Sequence, residues 1–243
     1  MNDLQALDRA LFLDWNGSDS IFLDGFMWMY TNMWMWMPLA LVLLYLVIRN
    51  NAPSRVILIC VLIALLITAS DQLASGLLKP LVQRLRPTHD PVLASMVDTV
   101  QGYRGGQFGF PSSHAANSFA LFTFTALLIR NWGYTMSMFL WACVFSYSRV
   151  YLGVHYPGDI LCGALLGIFV GVVFYLIYEA LNRKLAVGNR ARGGWSGASY
   201  SWRDSRESRK TKSGYWIGQV RFFVCTFFAL NLLAMLIGIF VMN

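Results

Sequence analysis

Residues 56–78 read VILICVLIALLITASDQLASGLL and run directly into Lys79. At about 1.5 Å of rise per helical residue, such a run is long enough to cross the roughly 30 Å hydrocarbon core of a bilayer. Asp71 is its only charged residue. Five further apolar runs flank it: 27–48, with Pro38 inside it, 113–129 opening at Ser112 or Ser113, 134–150, 159–178 and 220–242. The expected fold class is all-α: a polytopic membrane bundle of six transmembrane helices, forming one membrane-embedded domain over 1–243. Composition agrees. Hydrophobic residues make up 57% of the chain and charged residues 13%, whereas a soluble domain carries about 25% charged residues. Trp28, Tyr30, Trp34 and Trp36 are expected where membrane meets water.

The segment 1–26 has acidic flanks and no signal-peptide core, so no cleavable leader is expected. Leu4, Leu7, Leu11 and Phe12 recur at helical spacing. They fit an interfacial amphipathic helix, or equally a helix packed on the core. Cys60, Cys143, Cys162 and Cys225 each lie in an apolar run without a CxxC pair. They are expected to be small buried hydrophobes, not disulfides or zinc ligands.

Basic residues set the orientation. The loops after the first, third and fifth runs hold Arg49, Arg55, Arg130 and the strongly basic stretch 182–219. The positive-inside rule makes these loops cytoplasmic and puts both termini and the loops after the second and fourth runs outside. The 182–219 loop explains most of the formal charge of +7. A solvated, topology-setting loop is the leading reading of it, and a patch for anionic lipid headgroups the second. No nucleic-acid partner is expected, and no protein partner is legible.

The outer side collects His89, His114, His155, Lys79, Arg86 and Arg149. Ionisable groups at the hydrocarbon boundary are expensive and usually functional. They sit in three stretches: Lys79-Pro-Leu-Val-Gln-Arg84-Leu-Arg86-Pro87, Phe110-Pro111-Ser112-Ser113-His114, and Ser148-Arg149-Val-Tyr-Leu-Gly-Val-His155-Tyr-Pro157-Gly158-Asp159. Together they resemble the type 2 phosphatidic acid phosphatase family, a relative of the vanadium haloperoxidases. That family carries Lys-x6-Arg-Pro, Pro-Ser-Gly-His and Ser-Arg-x5-His-x3-Asp. Every fixed position matches except Ser113, where the family usually has Gly.

The resemblance implies a metal-independent lipid phosphatase with no cofactor. It would work through a phosphohistidine on His155, with His114 acting first as acid and then as base. The residue chemistry points the same way. Lys79, Arg86 and Arg149 can surround a phosphoryl group with positive charge. Ser112 and Ser113 open a helix whose free N–H groups suit an anion. Asp159, four residues after His155, can hold one ring nitrogen and leave the other unprotonated. A zinc site is disfavoured, because the histidine spacing fits no compact ligand pattern and the cations would repel a metal. His89 and Asp90 match no family position and read as loop residues. Asp71, two helical turns before Lys79, reads as a structural polar contact.

The expected setting is a bacterial inner membrane with the site facing the periplasm. Undecaprenyl diphosphate and lipid A phosphates lead as expected substrates, followed by phosphatidylglycerol phosphate and phosphatidic acid. A lipid phosphotransferase and a non-catalytic phospholipid-binding protein are the alternatives.

Overall fold

The computed structural model describes residues 3–191 and 210–241, and among these the secondary structure is helical, with two isolated bridges in place of any sheet. The helices are α1 (Asp3–Trp15), α2 (Ile21–Thr31), α3 (Met37–Asn50), α4 (Pro53–Asp71), α5 (Lys79–Val82), α6 (Ser113–Ile129), α7 (Trp132–Tyr151), α8 (Pro157–Ala191) and α9 (Ile217–Val241). A π-helical stretch, Gln72–Leu78, joins α4 to α5, so 53–82 is one continuous rod that ends just past Lys79. Among the described residues, four helical spans are long and apolar enough to cross a membrane: Met33–Asn50, Pro53–Val82, Pro157–Leu185 and Ile217–Phe240. Their outer faces carry exposed Leu41, Ile57, Leu165, Phe169, Phe222 and Leu232, surface that water would penalise and lipid would cover.

α6 and α7 differ from these four. α6 has only 17 residues, and α7 includes Thr135, Ser137, Ser146, Ser148 and Arg149. Both are central to the bundle, with α6 packed on α4, α7 and α8, and α7 on α2, α6 and α9. Central helices meet protein on most sides, so their sequences need less continuous apolarity than lipid-facing ones.

Among the described residues, the most extensive helix contact is that of α6 with α8. Gly163, Gly167 and Gly171 recur every fourth residue along α8. A Cβ at Gly167 would stand 2.3 Å from the Ala116 carbonyl oxygen and 2.9 Å from the Ala120 nitrogen, and one at Gly163 would stand 2.4 Å from the Ser112 oxygen. This small-residue stripe lets the two backbones touch. It also sets the start of α6 beside the start of α8, where the candidate site lies: the Ser112 N–H donates to the Asp159 carbonyl at 3.0 Å.

Several expectations need correction. The run 27–48 is not one helix. α2 ends at Thr31, and the Asn32 side chain accepts from the Trp34 N–H at 3.0 Å and opens a 3-10 turn. Pro38 then falls in the first turn of α3, where its missing N–H costs nothing. Tyr30 and Trp36 are core residues, with ring centroids 4.6 Å apart, while Trp34 is exposed. None of the four cysteines is buried; Cys60 and Cys225 are exposed. The fifth run continues well past 178, since α8 reaches Ala191. Of the basic stretch 182–219, residues 192–209 lie outside the described residues. In 1–26, α1 buries Phe12 against Leu93, Val150 and Tyr156 but exposes Leu4 and Leu7.

The glycine seam gives a test. Gly167→Ala gains about 1 kcal/mol of helix propensity. Forcing a methyl against backbone costs about 1–3 kcal/mol, and no rotamer relieves it. The variant should therefore unfold at lower temperature than the wild type in detergent. An unchanged or raised melting temperature would contradict the close contact.

Candidate active site

A loop of some thirty residues separates α5 from α6 and carries Arg84, Arg86 and Arg104. Gln83, in the left-handed region at φ 51°, ends α5. The loop then doubles back on itself: the Arg86 N–H donates to the Gln107 carbonyl at 3.0 Å and the Gly109 N–H to the Arg84 carbonyl at 2.9 Å. This pairing presents Arg84 and Arg86 to the segment between α7 and α8.

That segment holds His155, which is fully buried. Arg86 donates through Nη1 to His155 Nε2 at 3.1 Å and to the Val154 carbonyl at 3.1 Å. A guanidinium can only donate, so Nε2 is the acceptor nitrogen and Nδ1 carries the proton. Nδ1 faces Asp159 Oδ2 at 3.4 Å, the spacing that one turn at the start of α8 provides. Burial, then the charges of Arg86, Arg149 and Lys79, hold the His155 pKa well below the ordinary imidazole value. The ring is therefore neutral, with a lone pair on Nε2. Gly109 lines this corner; a Cβ there would stand 2.9 Å from Asp159 Oδ2 and 3.2 Å from the Arg86 side chain.

Lys79 reaches in from the end of the π-helical rod. Its Nζ donates to Ser113 Oγ at 3.1 Å and to Ser75 Oγ at 3.3 Å, and Ser75 in turn donates to Asp71 at 3.3 Å. Asp71 thus makes a polar contact within its own helix. Arg149, at the end of α7, is buried. It donates to Thr31 Oγ1 at 2.7 Å and to the Tyr103 hydroxyl at 3.0 Å. Its Nε is buried without an acceptor among the described residues. Ser112 is the N-cap of α6, accepting from the Ala115 N–H at 3.4 Å, and Ser113 is the first helical residue. His114 follows and stacks on Phe145, with ring centroids 5.8 Å apart, within the electrostatic reach of Arg149, His155, Arg86 and Lys79.

The charge pattern decides what such a corner can hold. Among the described residues, Arg9 pairs with Asp90, Arg84 with Asp8 and Asp159, and Arg183 with Glu179. None of Lys79, Arg86 and Arg149 has a carboxylate within pairing distance there. Burial, and then the neighbouring Arg149 charge, lower the Arg86 pKa, yet a guanidinium stays charged. Three uncompensated cations around one imidazole make a place for a multiply charged anion.

A family model described as the PAP2 superfamily matches residues 60–183. The chain belongs to that superfamily. The lipid A 4'-phosphatase of Bacteroides thetaiotaomicron is 43% identical over 183 residues, covering 75% of this chain and 81% of the relative. That of Porphyromonas gingivalis is 34% identical over 199 residues, covering 82% of this chain and 80% of the relative. The crystal structure of Aquifex aeolicus LpxE matches with a TM-score of 0.55 at 25% identity, covering 69% of this chain and 94% of that one. As a PAP2 member the chain is a phosphatase, and with its apolar spans it is a multi-pass membrane protein.

Every candidate from the three motifs of this PAP2 chain meets in one corner of the bundle. Sequence reading missed Thr31 and Tyr103, which hold Arg149, and Gly109, which lies against Asp159; nothing in the sequence ties them to the motifs. It also gave no role to Arg84, which stands inside the quoted first motif. Asp90 is buried and accepts from Arg9, the Tyr156 hydroxyl and the Val92 N–H. His89 Nδ1 lies 3.1 Å from the Thr88 hydroxyl.

The neutral, buried His155 has a consequence for stability. A folded-state pKa below the unfolded value, about 6.5, stabilises the fold above that pH. The contribution is lost as pH falls toward the folded pKa. Between about pH 6.5 and about pH 5.5 the wild type should lose about 1 kcal/mol more than His155→Gln. Equal losses in parallel denaturant titrations would contradict a neutral His155.

Proposed function

We propose that this chain hydrolyses the 4'-phosphate of lipid A without a metal ion or cofactor. The observation that carries the chemistry is the acceptor nitrogen of a buried imidazole set among three unpaired cations. The support for the substrate is the pair of lipid A 4'-phosphatases that resemble most of the chain.

The phosphoryl group lies between Lys79, Arg86 and Arg149, with the N-terminus of α6 and the Ser112 and Ser113 hydroxyls completing the cradle. His155 Nε2 attacks phosphorus. A P–N bond forms as the P–O bond to the sugar breaks. The bound phosphoryl anion offsets the surrounding cations and lets His114 carry a second proton, which it gives to the departing oxygen, so the sugar leaves as an alcohol. Asp159, with Oδ2 3.4 Å from Nδ1, balances the positive charge that grows on the ring. His114, now neutral, takes a proton from water as that water attacks the phosphohistidine. The P–N bond breaks and inorganic phosphate departs.

α6 and α7 cross the membrane with the four more apolar spans, giving six. α1 rests in the interface with Leu4 and Leu7 toward lipid, and the basic 182–219 segment faces the cytoplasm. The site then opens on the periplasmic side of a bacterial inner membrane, with the acyl chains left in the bilayer.

Purified protein in EDTA should release phosphate from lipid A bisphosphate and leave the 1-phosphate in place. In spheroplasts the same lipid should be hydrolysed when presented from outside. Loss of the 1-phosphate instead, or activity restored only by added metal, would overturn this reading.

A further inference from the structure

Asp8 lies on α1, far from every motif in sequence, yet it grips the site at two points. Its Oδ2 accepts from Arg84 Nη2 at 2.6 Å and its Oδ1 accepts from the Gly158 N–H at 2.7 Å. Arg84 Nη1 donates to Asp159 Oδ1 at 2.9 Å. One guanidinium thus bridges two carboxylates, one from α1 and one from α8. Asp159 has no side-chain exposure, while Arg84 retains 24%.

Both grips act on the same element. Gly158 is the second residue of α8, where a backbone N–H has no acceptor within its own helix. Asp8 supplies that acceptor from another helix. A Cβ at Gly158 would stand 2.7 Å from Asp8 Oδ2, so the approach depends on glycine. The remaining Asp159 oxygen, Oδ2, accepts from the Tyr156 N–H at 3.1 Å and faces His155. Arg84 also lies over the Tyr156 ring, 4.2 Å from its centroid. With Oδ1 tied to Arg84 and Oδ2 to Tyr156, the carboxylate plane is fixed.

We propose that Asp8 is a positioning residue for the reaction: through Arg84 it fixes the Asp159 carboxylate that orients His155. The inference rests on the roles given above to His155 and Asp159. Arg84 is long and partly exposed, and two anchors restrict its fork far more than one. Asp8 also adds a second negative charge to the Asp8–Arg84–Asp159 array. That charge offsets the cation that forms on His155 during attack. The work of α1 is then catalytic support as well as contact with lipid.

Asp8→Asn separates the two grips. The amide oxygen can still accept from Gly158 N–H, but the charge that holds Arg84 is gone. With full-length protein and lipid A bisphosphate in micelles, kcat should fall about tenfold with KM within about twofold, since misplacing a catalytic group by a fraction of an ångström costs on this order. The melting temperature should stay at the wild-type value. Asp8→Glu should restore most of the lost rate. A wild-type kcat in Asp8→Asn would overturn the proposal. So would a loss of rate that tracks a fall in melting temperature and is not rescued by Glu. His155→Ala is the control. Activity in that variant would sink the reading of the site itself. An inactive His155→Ala beside a normal Asp8→Asn would remove only the role of Asp8.

Discussion

Asp159 is fully buried, and its two oxygens receive Arg84 on one side and the Tyr156 N–H on the other, with His155 Nδ1 3.4 Å away. A carboxylate taken out of water is tolerated only when cations and hydrogen-bond donors replace its hydration. That requirement organises much of the outer end of the bundle. It calls for Arg84 on the loop after α5, the tight segment before α8, and Asp8 on α1 to hold Arg84 in place. It also keeps Gly109 without a side chain. The same carboxylate allows a neutral imidazole to keep its unprotonated nitrogen toward Arg86.

Around this pair the protein arranges charge unevenly. The cations at the rim are satisfied by carboxylates: Arg9 by Asp90, Arg84 by Asp8 and Asp159. The cations of the corner are held by neutral groups instead: Lys79 by serine hydroxyls, Arg149 by Thr31 and Tyr103, Arg86 by backbone carbonyls and an imidazole. Neutral partners fix geometry without cancelling charge. The corner is therefore rigid and electrostatically unfinished, a combination that favours a phosphoryl group over solvent. Its rigidity comes from packing: the Gly163–Gly167–Gly171 stripe locks α8 to α6, and Asp159 and Ser112 ride on the two ends that this contact brings together.

The motif residues were legible because their spacing is local. His155 and Asp159 stand one helical turn apart, Ser112 precedes an apolar helix, and Lys79 closes an apolar run. What the sequence hid is long-range or two-sided. Nothing in it links Asp8 to Arg84 across 76 positions, or Arg149 to Thr31 across 118. The break at Asn32 was hidden by hydrophobicity: residues 27–48 are apolar apart from Thr31 and Asn32, and only the capping side chain stops the helix. Central helices were read from apolarity alone, yet α7 is shielded by its neighbours and tolerates serines and an arginine. The glycine stripe on α8 was present in the sequence, but its meaning depends on which helix lies opposite.

The most direct measurement is rapid-quench labelling with lipid A carrying radioactive phosphate at the 4' position, followed by peptide mapping. A phosphoryl group on His155, stable in alkali and lost in acid, should appear and decay within one turnover. Label on His114 or another residue, or turnover with no labelled protein at any time, would contradict the reading of His155 as the nucleophile.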